Sequence, residues 1–272
     1  MENLRRLLEN GVDAHGNISE PLYEEMLLKI NKIADNPDCY GRISKVVRRD
    51  LETIGNVYSF WIEHPELRKH YLTHNLPSKK VKKKAWRGVK AVNKGWEYLT
   101  NKGDNLVEIL DKKIIAAVNG LVSGGNEESG RYRQGRVHFL DSENFKPIEA
   151  ERVLGEVDKV IRNIKQIAEG NPLEAAIYAH LGIAMTQPFC GGNKRTARLV
   201  QDKILFDAGL PPAVISAGEA KFYFDLLGKT APNYQAGNLE GQRQFYDYVA
   251  SKVNNGLDEI LGDLNPKYII SK

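Results

Sequence analysis

The sequence has only two cysteines, Cys39 and Cys190, among its 272 residues. They lie far apart in the chain and do not suggest the disulfide framework of a small secreted domain. The sequence also lacks an apolar run long enough to span a bilayer, and the segment from Met1 to Asn10 is charged throughout, unlike a secretory signal. These absences predict a protein without a membrane span in a reducing compartment, with the cytoplasm as the expected location.

A strong excess of charge of either sign is lacking as well. The chain has 39 lysine and arginine residues and 35 aspartate and glutamate residues, for a net charge of +4. A charge this small for the size of the chain gives little general reason to expect a nucleic-acid partner.

Basic residues are dense between Lys79 and Lys94, where Trp86 lies among them and Trp96 follows. Clustered cations with aromatic residues could form a patch for nucleic acid or anionic lipid. The alternative is the solvated face of a helix whose Trp86, Val89 and Leu99 pack inward while the lysine stems lie along apolar surface. We favour the solvated face, so neither nucleic acid nor an anionic surface is the expected partner.

Apolar residues recur at helical spacing through most of the chain, without internal repeats. This pattern predicts a mainly α-helical fold, with helices at about 3–9, 19–34, 43–62, 106–122, 149–169, 171–186, 193–208, 219–227 and 238–253. A partial period of two in residues 131–147 predicts one small β-hairpin. The polar, glycine-containing segment 101–105 marks a boundary. We therefore expect an N-terminal helical region (1–105), a second domain (106–255) and a C-terminal tail (256–272).

Three polar residues precede predicted helices as candidate N-caps. Ser19 lies before Pro21, Asn171 lies before Pro172 and Glu174 in a capping-box pattern, and Ser216 forms a second capping box with Glu219. These signals predict where three helices begin.

The most informative stretch is 186–198, which reads TQPFCGGNKRTAR. A helix is predicted to end there and another to begin directly after a glycine turn. Backbone N–H groups at a helix start carry the positive end of the helix dipole and bind anions well where glycines allow close approach. Arg195 and Arg198 are three residues apart, so they share one helix face. The residues alone leave two interpretations open, a phosphate site and an ordinary basic helix start.

This stretch resembles the signature of the Fic family, H-P-F-x-(D/E)-G-N-G-R-x-x-R, which joins two helices by an anion-binding turn. The positions that match are Pro188, Phe189, Gly192, Asn193, Arg195 and Arg198. Three positions depart from the signature: Gln187 replaces the histidine, Gly191 the acidic residue and Lys194 a glycine. The run from Asn193 to Ala197 is similar to the N-K-R-T-A run of the Doc branch. The resemblance implies the helical Fic fold with a small β-hairpin flap.

The departures bear on activity. In the family the histidine is the general base that takes a proton from a target hydroxyl, and the amide of Gln187 is not expected to act as a base. The family's acidic residue holds magnesium, for which Gly191 offers no carboxylate. The resemblance therefore implies a retained phosphate or nucleotide site, with ATP as the candidate ligand and magnesium not expected. Its expected binding residues are Gly191, Gly192, Asn193, Lys194, Arg195 and Arg198.

Three other residues are candidates to replace the missing base. His180 lies seven residues before Gln187, which is roughly 10 Å along a helix, so we expect a core histidine. His138 on the flap could face the pocket, and Cys190 sits at a helix start, where a thiol's pKa can fall. We favour neither His138 as a base that faces the pocket nor Cys190 as a catalytic thiol.

Two further family features concern partners and regulation. Residues 131–147 resemble the flap that aligns a target protein by strand addition, so a protein target is a candidate partner there. Family members often carry an inhibitory segment, S/T-x-x-x-E-G/N, whose glutamate pairs with the second motif arginine. Ser123 and Glu127 have this spacing, but Glu128 follows. We therefore do not expect such a segment.

Three functions follow from these observations. The favoured one is a Fic-like protein that binds a nucleotide or phosphate and transfers adenylyl groups weakly or not at all. The second is an active adenylyl- or phosphoryltransferase to protein hydroxyls that uses a non-standard base. The third is an interaction module that binds no nucleotide.

Overall fold

The structure is a computed structural model, and it describes residues 7–36, 62–64, 79–103, 105–124, 128–139, 142 and 145–263. The described chain is mainly helical. Its α-helices are α1 (Glu20–Ala34), α2 (Lys79–Thr100), α3 (Leu106–Ile109), α4 (Lys112–Val122), α5 (Val153–Gly170), α6 (Pro172–Thr186), α7 (Asn193–Asp207), α8 (Ala220–Ala236) and α9 (Arg243–Asp263). Short 3-10 turns at Val12–Ala14, Ala150–Arg152, Ala217–Glu219 and Glu240–Gln242 complete it.

Helix α6 is the centre of the fold because it is buried on all sides. From Leu173 to Thr186 all but two of its residues are buried, which is typical of a helix enclosed by others. Helices α5 and α7 pack directly against it, α2 and α4 pack on α7, and α1 packs on α9. One apolar core joins these helices, so the chain that leads into and out of 186–198 is firmly held.

The three predicted N-cap signals have different outcomes in the structure. The side chain of Asn171 accepts a hydrogen bond from the Glu174 N–H at 3.0 Å, as a cap does. Glu174 does not complete the predicted capping box, because its carboxylate accepts from the N–H and side-chain amide of Asn17 instead. Ser216 and Glu219 do form the reciprocal box that was predicted. Ser19 precedes α1 without a side-chain cap bond.

Several helix boundaries differ from the sequence-based expectation. The helix expected over 106–122 is divided at Leu110, because Asp111 caps a new helix by accepting from the Ile114 N–H at 2.7 Å. Helix α9 continues to Asp263, since Leu257 and Ile260 extend its buried stripe into the segment expected to be a tail. The helix expected at 43–62 lies outside the described residues except at its end, as does most of the one at 3–9.

The predicted β-hairpin is not found among the described residues of 131–147, of which 140, 141, 143 and 144 are not described. A physical reason lies at Arg133, whose backbone N–H donates to the Pro188 carbonyl oxygen at 3.0 Å instead of to a neighbouring strand. We call residues 128–149 the flap segment.

Trp86 was expected to pack inward, and this was wrong: its side chain is 70% exposed on α2.

Candidate functional site

The chain turns sharply between α6 and α7. Helix α6 ends at Thr186, and Gln187 follows in the left-handed region with φ of 47°, the only described non-glycine residue with positive φ. Gly192 then adopts φ of 73° and caps α7, which begins at Asn193. A side chain in the left-handed region costs free energy, so surrounding contacts must hold Gln187 in place.

Asn193 supplies the first of these contacts. Its side-chain oxygen accepts from the Phe189 N–H at 2.9 Å, and its amide nitrogen donates to the Phe189 carbonyl and to Gln187 Oε1 at 2.8 and 3.0 Å. Gln187 Nε2 donates to the Ala184 carbonyl at 2.6 Å. Both ends of the Gln187 amide are therefore occupied by the protein.

Arg133 supplies the second contact and was missed by the sequence analysis. Its guanidinium is buried and donates to the main-chain oxygens of Gln187, Gly135 and Ile148 at 2.7, 2.9 and 2.5 Å. Burial lowers the pKa of Arg133 from its usual value. The ring of Tyr132 stacks on buried Phe189 at 4.9 Å, so Phe189 is an apolar anchor of the turn. The flap segment is thus fastened to the motif turn.

The glycines keep one side of the turn open. A methyl group on Gly191 would meet nothing within 4 Å, whereas one on Gly192 would lie 2.4 Å from Ser123 Oγ. Asn119 Nδ2 donates to the Gly191 carbonyl at 2.8 Å and fixes its direction. The N–H groups of Gly191 and Gly192 have no hydrogen-bond partner within the part of the chain that the structure describes. This is the arrangement in which a turn can bind an anion.

Glu63 lies directly on the two motif arginines. Its Oε2 accepts from Arg195 Nε at 2.9 Å and its Oε1 from Arg198 Nη2 at 2.7 Å. Arg195 also donates to the Val122 carbonyl at 2.5 Å, and Arg198 to the Tyr223 hydroxyl at 3.2 Å. One carboxylate therefore bridges both guanidinium groups.

The charges of this cluster decide its protonation. Burial alone would raise the pKa of Glu63, but the positive charges of Arg195, Arg198 and Lys194 outweigh it and hold the pKa below its usual value. Burial acts to lower the pKa of Arg198, but Tyr223 and Glu63 outweigh this effect, so the pKa of Arg198 lies above its usual value. Glu63 is thus an anion at neutral pH, bound where a phosphate was predicted.

Glu63 was not found from the sequence, although a signal existed. Ser59 precedes it by four residues, which is the spacing of the family's inhibitory pattern, but His64 stands where the pattern has glycine or asparagine. Ser123 and Glu127 have the same spacing. Glu127 lies outside the described residues. The expectation that no glutamate pairs with the second motif arginine was wrong, because Glu63 binds Arg198.

Lys194 differs from the two arginines in its contacts. Its ammonium group lies 4.8 Å from the centre of the Phe224 ring and 5.3 Å from that of Phe139. Such cation–π contacts are worth roughly 0.5–2 kcal/mol. Lys194 therefore connects α7 to α8 and to the flap segment while adding positive charge near Glu63.

None of the three alternative nucleophiles or bases is brought to the turn as a reactive group. His180 is fully buried, with Nδ1 2.7 Å from Gln201 Oε1 and Nε2 2.8 Å from the Tyr223 hydroxyl, and burial lowers its pKa to about 3. It is the neutral core histidine that was expected. His138 is exposed on the flap segment. Burial and Glu128 raise the pKa of the Cys190 thiol, the opposite of what a reactive thiol needs.

The donor atoms at the turn do not suit magnesium. Gly191 offers no carboxylate at the position where the signature has one. Within the described residues no group of three or more histidine, cysteine, aspartate or glutamate side chains is placed to hold a metal ion.

Residues 109–205, which include the turn and both flanking helices, match the Fic/DOC family. This part of the chain is a Fic domain. The chain is 28% identical over 137 residues to Protein adenylyltransferase fic-1 of Caenorhabditis elegans, covering 50% of this chain and 25% of that protein. It is 28% identical over 159 residues to Protein adenylyltransferase Fic of Nematostella vectensis, covering 58% of this chain and 34% of that protein. The chain thus spans a quarter to a third of these relatives.

Solved structures share the fold over a longer stretch than the Fic domain itself. A Fic domain containing signaling protein from Bacteroides thetaiotaomicron VPI-5482 matches with a TM-score of 0.71 at 20% identity, covering 91% of this chain and 99% of that one. Fic-1 from C. elegans matches with a TM-score of 0.62 at 18% identity, covering 91% and 78%. At such identity these likenesses show the fold alone.

None of the described helices combines the length and the apolar content that crossing a membrane requires.

Proposed function

We propose that the Fic domain binds the phosphates of a nucleotide such as ATP at residues 191–198, in competition with Glu63, and transfers adenylyl groups weakly or not at all. The observation that supports this proposal most directly is that Arg195 and Arg198 each bind one oxygen of the Glu63 carboxylate. Two coplanar acceptor oxygens are also what a phosphate offers to paired guanidinium groups. The nucleotide and the adenylyl reaction enter because the curated relatives are named protein adenylyltransferases.

The surroundings of the arginines support a competition between Glu63 and the ligand. Arg195 and Arg198 also donate to Val122 and Tyr223, and these two bonds do not involve Glu63, so a ligand would meet guanidinium groups that are already oriented. The N–H groups of Gly191 and Gly192 add donors on the open side of the turn. Displacing Glu63 costs its ion pairs, so the apparent affinity for the ligand is lowered.

Weak transfer follows from the contacts of Gln187. Adenylyl transfer forms a bond from a target hydroxyl oxygen to the α-phosphorus, releases pyrophosphate and requires an acceptor for the hydroxyl proton. Gln187 Oε1 already accepts from Asn193 and is a very weak base. Loss of a general base costs roughly 10²- to 10⁴-fold in rate. His180, neutral and fully hydrogen-bonded, does not replace it.

The flap segment is the proposed contact for a protein partner. Arg133 fastens it beside the turn, while Arg136 and His138 are exposed on it. A cleft of about 620 Å³ lies along it, lined by residues that include Val137, Phe139 and Phe145. An extended target segment would find both an apolar surface and exposed basic groups there.

Calorimetry with ATP tests the binding proposal. We expect saturable binding by the wild-type chain and at least about tenfold tighter binding by Glu63→Gln, because the competing carboxylate charge is gone. Glu156→Gln is the matched control, since Glu156 pairs with Lys159 on α5 and should leave binding unchanged. Equal weak or absent binding by the wild type and Glu63→Gln would favour an interaction module without nucleotide.

Transfer is tested by restoring the family residues with Gln187→His and Gly191→Asp. Incorporation of label from ATP into protein should rise by about 10²-fold or more over the wild type. If the wild type already labels protein as fast as the double variant, the chain is an active transferase that uses another base.

A further inference from the structure

Helix α2 carries all of the chain's net positive charge. Its 22 residues include eight lysines and arginines and one acid, Glu97, which leaves 31 basic and 34 acidic residues for the rest of the chain. The small net charge of the whole chain therefore hides a strong local concentration. A local field of this kind acts on a partner even when the total charge is modest.

Four of the five lysines and arginines of α2 whose side chains the structure describes form a row. Lys83, Arg87, Lys90 and Lys94 recur at intervals of four, three and four residues, which places them on one face of the helix, and all four are exposed. The row is about 16 Å long at the rise of an α-helix. None of the four forms an ion pair within the part of the chain that the structure describes. With respect to the described residues, their charges are available to a partner.

Trp86 lies at the edge of this row. It is three residues after Lys83 and four before Lys90, so its indole is next to both, and it is 70% exposed. The interpretation of α2 as an ordinary solvated face required Trp86 to pack inward. Its exposure removes that explanation and leaves an aromatic surface among cations, the combination that binds stacked bases and phosphates together.

The opposite side of α2 limits the kind of partner. Its apolar residues Val92, Trp96 and Leu99 are buried, and the helix packs on α4 and α7. Among the described side chains of α2, from residue 83 to residue 100, no apolar stripe remains to enter a bilayer as an interfacial helix does. A base-paired duplex would leave Trp86 without an exposed base face. The surface fits a flexible phosphate-bearing strand whose bases are free to stack.

We infer that the exposed face of α2, formed by Lys83, Trp86, Arg87, Lys90 and Lys94, binds single-stranded nucleic acid. The four cations contact the phosphates and the indole of Trp86 stacks on a base. These residues are not those of the turn at 191–198. Binding of nucleic acid to α2 therefore does not depend on the proposal that the turn binds a nucleotide.

The test uses fluorescence anisotropy of labelled 15-mers of dT and rU with the full chain at 25 to 200 mM salt. We expect binding whose log affinity falls with log salt concentration at a slope of about −3, from four cations at about 0.7 each. Arg87→Ala with Lys90→Ala should halve the slope and weaken binding at least tenfold at the lowest salt. Trp86→Ala should weaken binding about tenfold and leave the slope unchanged. The dT and rU arms distinguish DNA from RNA.

The matched control is Arg162→Ala with Lys221→Ala, two exposed cations elsewhere, which should change neither slope nor affinity. Excess ATP should not displace the oligonucleotide. Three results would overturn the inference: no binding at the lowest salt, equal weakening by the control pair, or equal binding of a 15-base-pair duplex with no effect of Trp86→Ala. Binding of phosphatidylserine vesicles in place of either oligonucleotide would show a lipid-binding surface instead and likewise reject it.

Discussion

Arg133 Nε donates a 2.7 Å hydrogen bond to the main-chain oxygen of Gln187, the residue that leaves α6 in the left-handed conformation. The other two guanidinium nitrogens of Arg133 bind the carbonyls of Gly135 and Ile148. One buried side chain thus joins the motif turn to two points of the flap segment. The geometry of the turn depends on a residue more than fifty positions away in the chain.

Replacing Arg133 with methionine should therefore destabilise the fold. The change keeps an apolar stem but leaves three carbonyl oxygens without their donor, and a buried unsatisfied group costs about 1–3 kcal/mol. We expect the free energy of unfolding to fall by about 3 kcal/mol in total, measured by urea denaturation. Water reaching some of these oxygens limits the sum.

Arg136→Met is the control for this change, because Arg136 is exposed and its one described partner, Glu149, lies at 3.4 Å. It should change the free energy of unfolding by less than about 0.5 kcal/mol. If Arg133→Met cost no more than Arg136→Met, the proposed role of Arg133 in holding the turn would be wrong.

Glu63→Gln should also lower stability, although it is expected to strengthen ATP binding. Removing one partner of a buried ion pair leaves the other uncompensated, at about 3 kcal/mol. The pKa of Glu63 is lowered in the folded state, so its contribution is present above the unfolded value of 4.5 and is lost as pH falls through the folded pKa. Acid denaturation of Glu63→Gln should lack this component.

Saturating ATP gives a second measurement on the same variant. A ligand that binds the folded state raises the melting temperature, and it should do so more for Glu63→Gln than for the wild type. An equal shift in both would contradict the competition between Glu63 and the phosphates.

Two buried groups near Arg198 should give the stability opposite dependences on pH. Burial raises the pKa of Asp202 from 3.8 to about 7, so the folded state keeps a proton that the unfolded state releases, and stability falls as pH rises over that range. Burial lowers the pKa of His180 from 6.5 to about 3, so stability falls as pH falls over that range. Between about pH 4 and 6.5 the two slopes oppose each other.

Single variants separate these slopes. Asp202→Asn should leave the histidine contribution, with a free energy of unfolding that rises by up to about 1.4 kcal/mol per pH unit between pH 4 and 6.5. His180→Asn should tilt the dependence the other way, and the double variant should resemble the wild type in slope. Urea denaturation at pH 4, 5 and 6 measures this. Slopes of the same sign in both variants would reject the assignment.

The sequence predicted the helices better than the contacts between them. Stripes such as Val153, Val157 and Val160 are local and identify α5 directly. Glu63 and Arg133 act on residues more than fifty positions away, so no local pattern reveals what they bind. Trp86 was expected to pack inward with Val89 and Leu99, but the buried stripe of α2 runs through Val92, Trp96 and Leu99.

The contact between α5 and α6 offers the last prediction. A methyl group on Gly182 would lie 2.8 and 3.1 Å from the two methyl carbons of Val160, closer than neighbouring carbons tolerate. Gly182→Ala should therefore cost about 1–3 kcal/mol through overpacking. Gly155→Ala on α5 is the control, since a methyl group there meets nothing within 4 Å and alanine should raise stability by about 0.5–1 kcal/mol. Adding Val160→Ala to Gly182→Ala should recover part of the loss, because the new methyl group then has room. If the two changes in the double variant were simply additive, crowding between these residues would not be what makes glycine necessary at position 182.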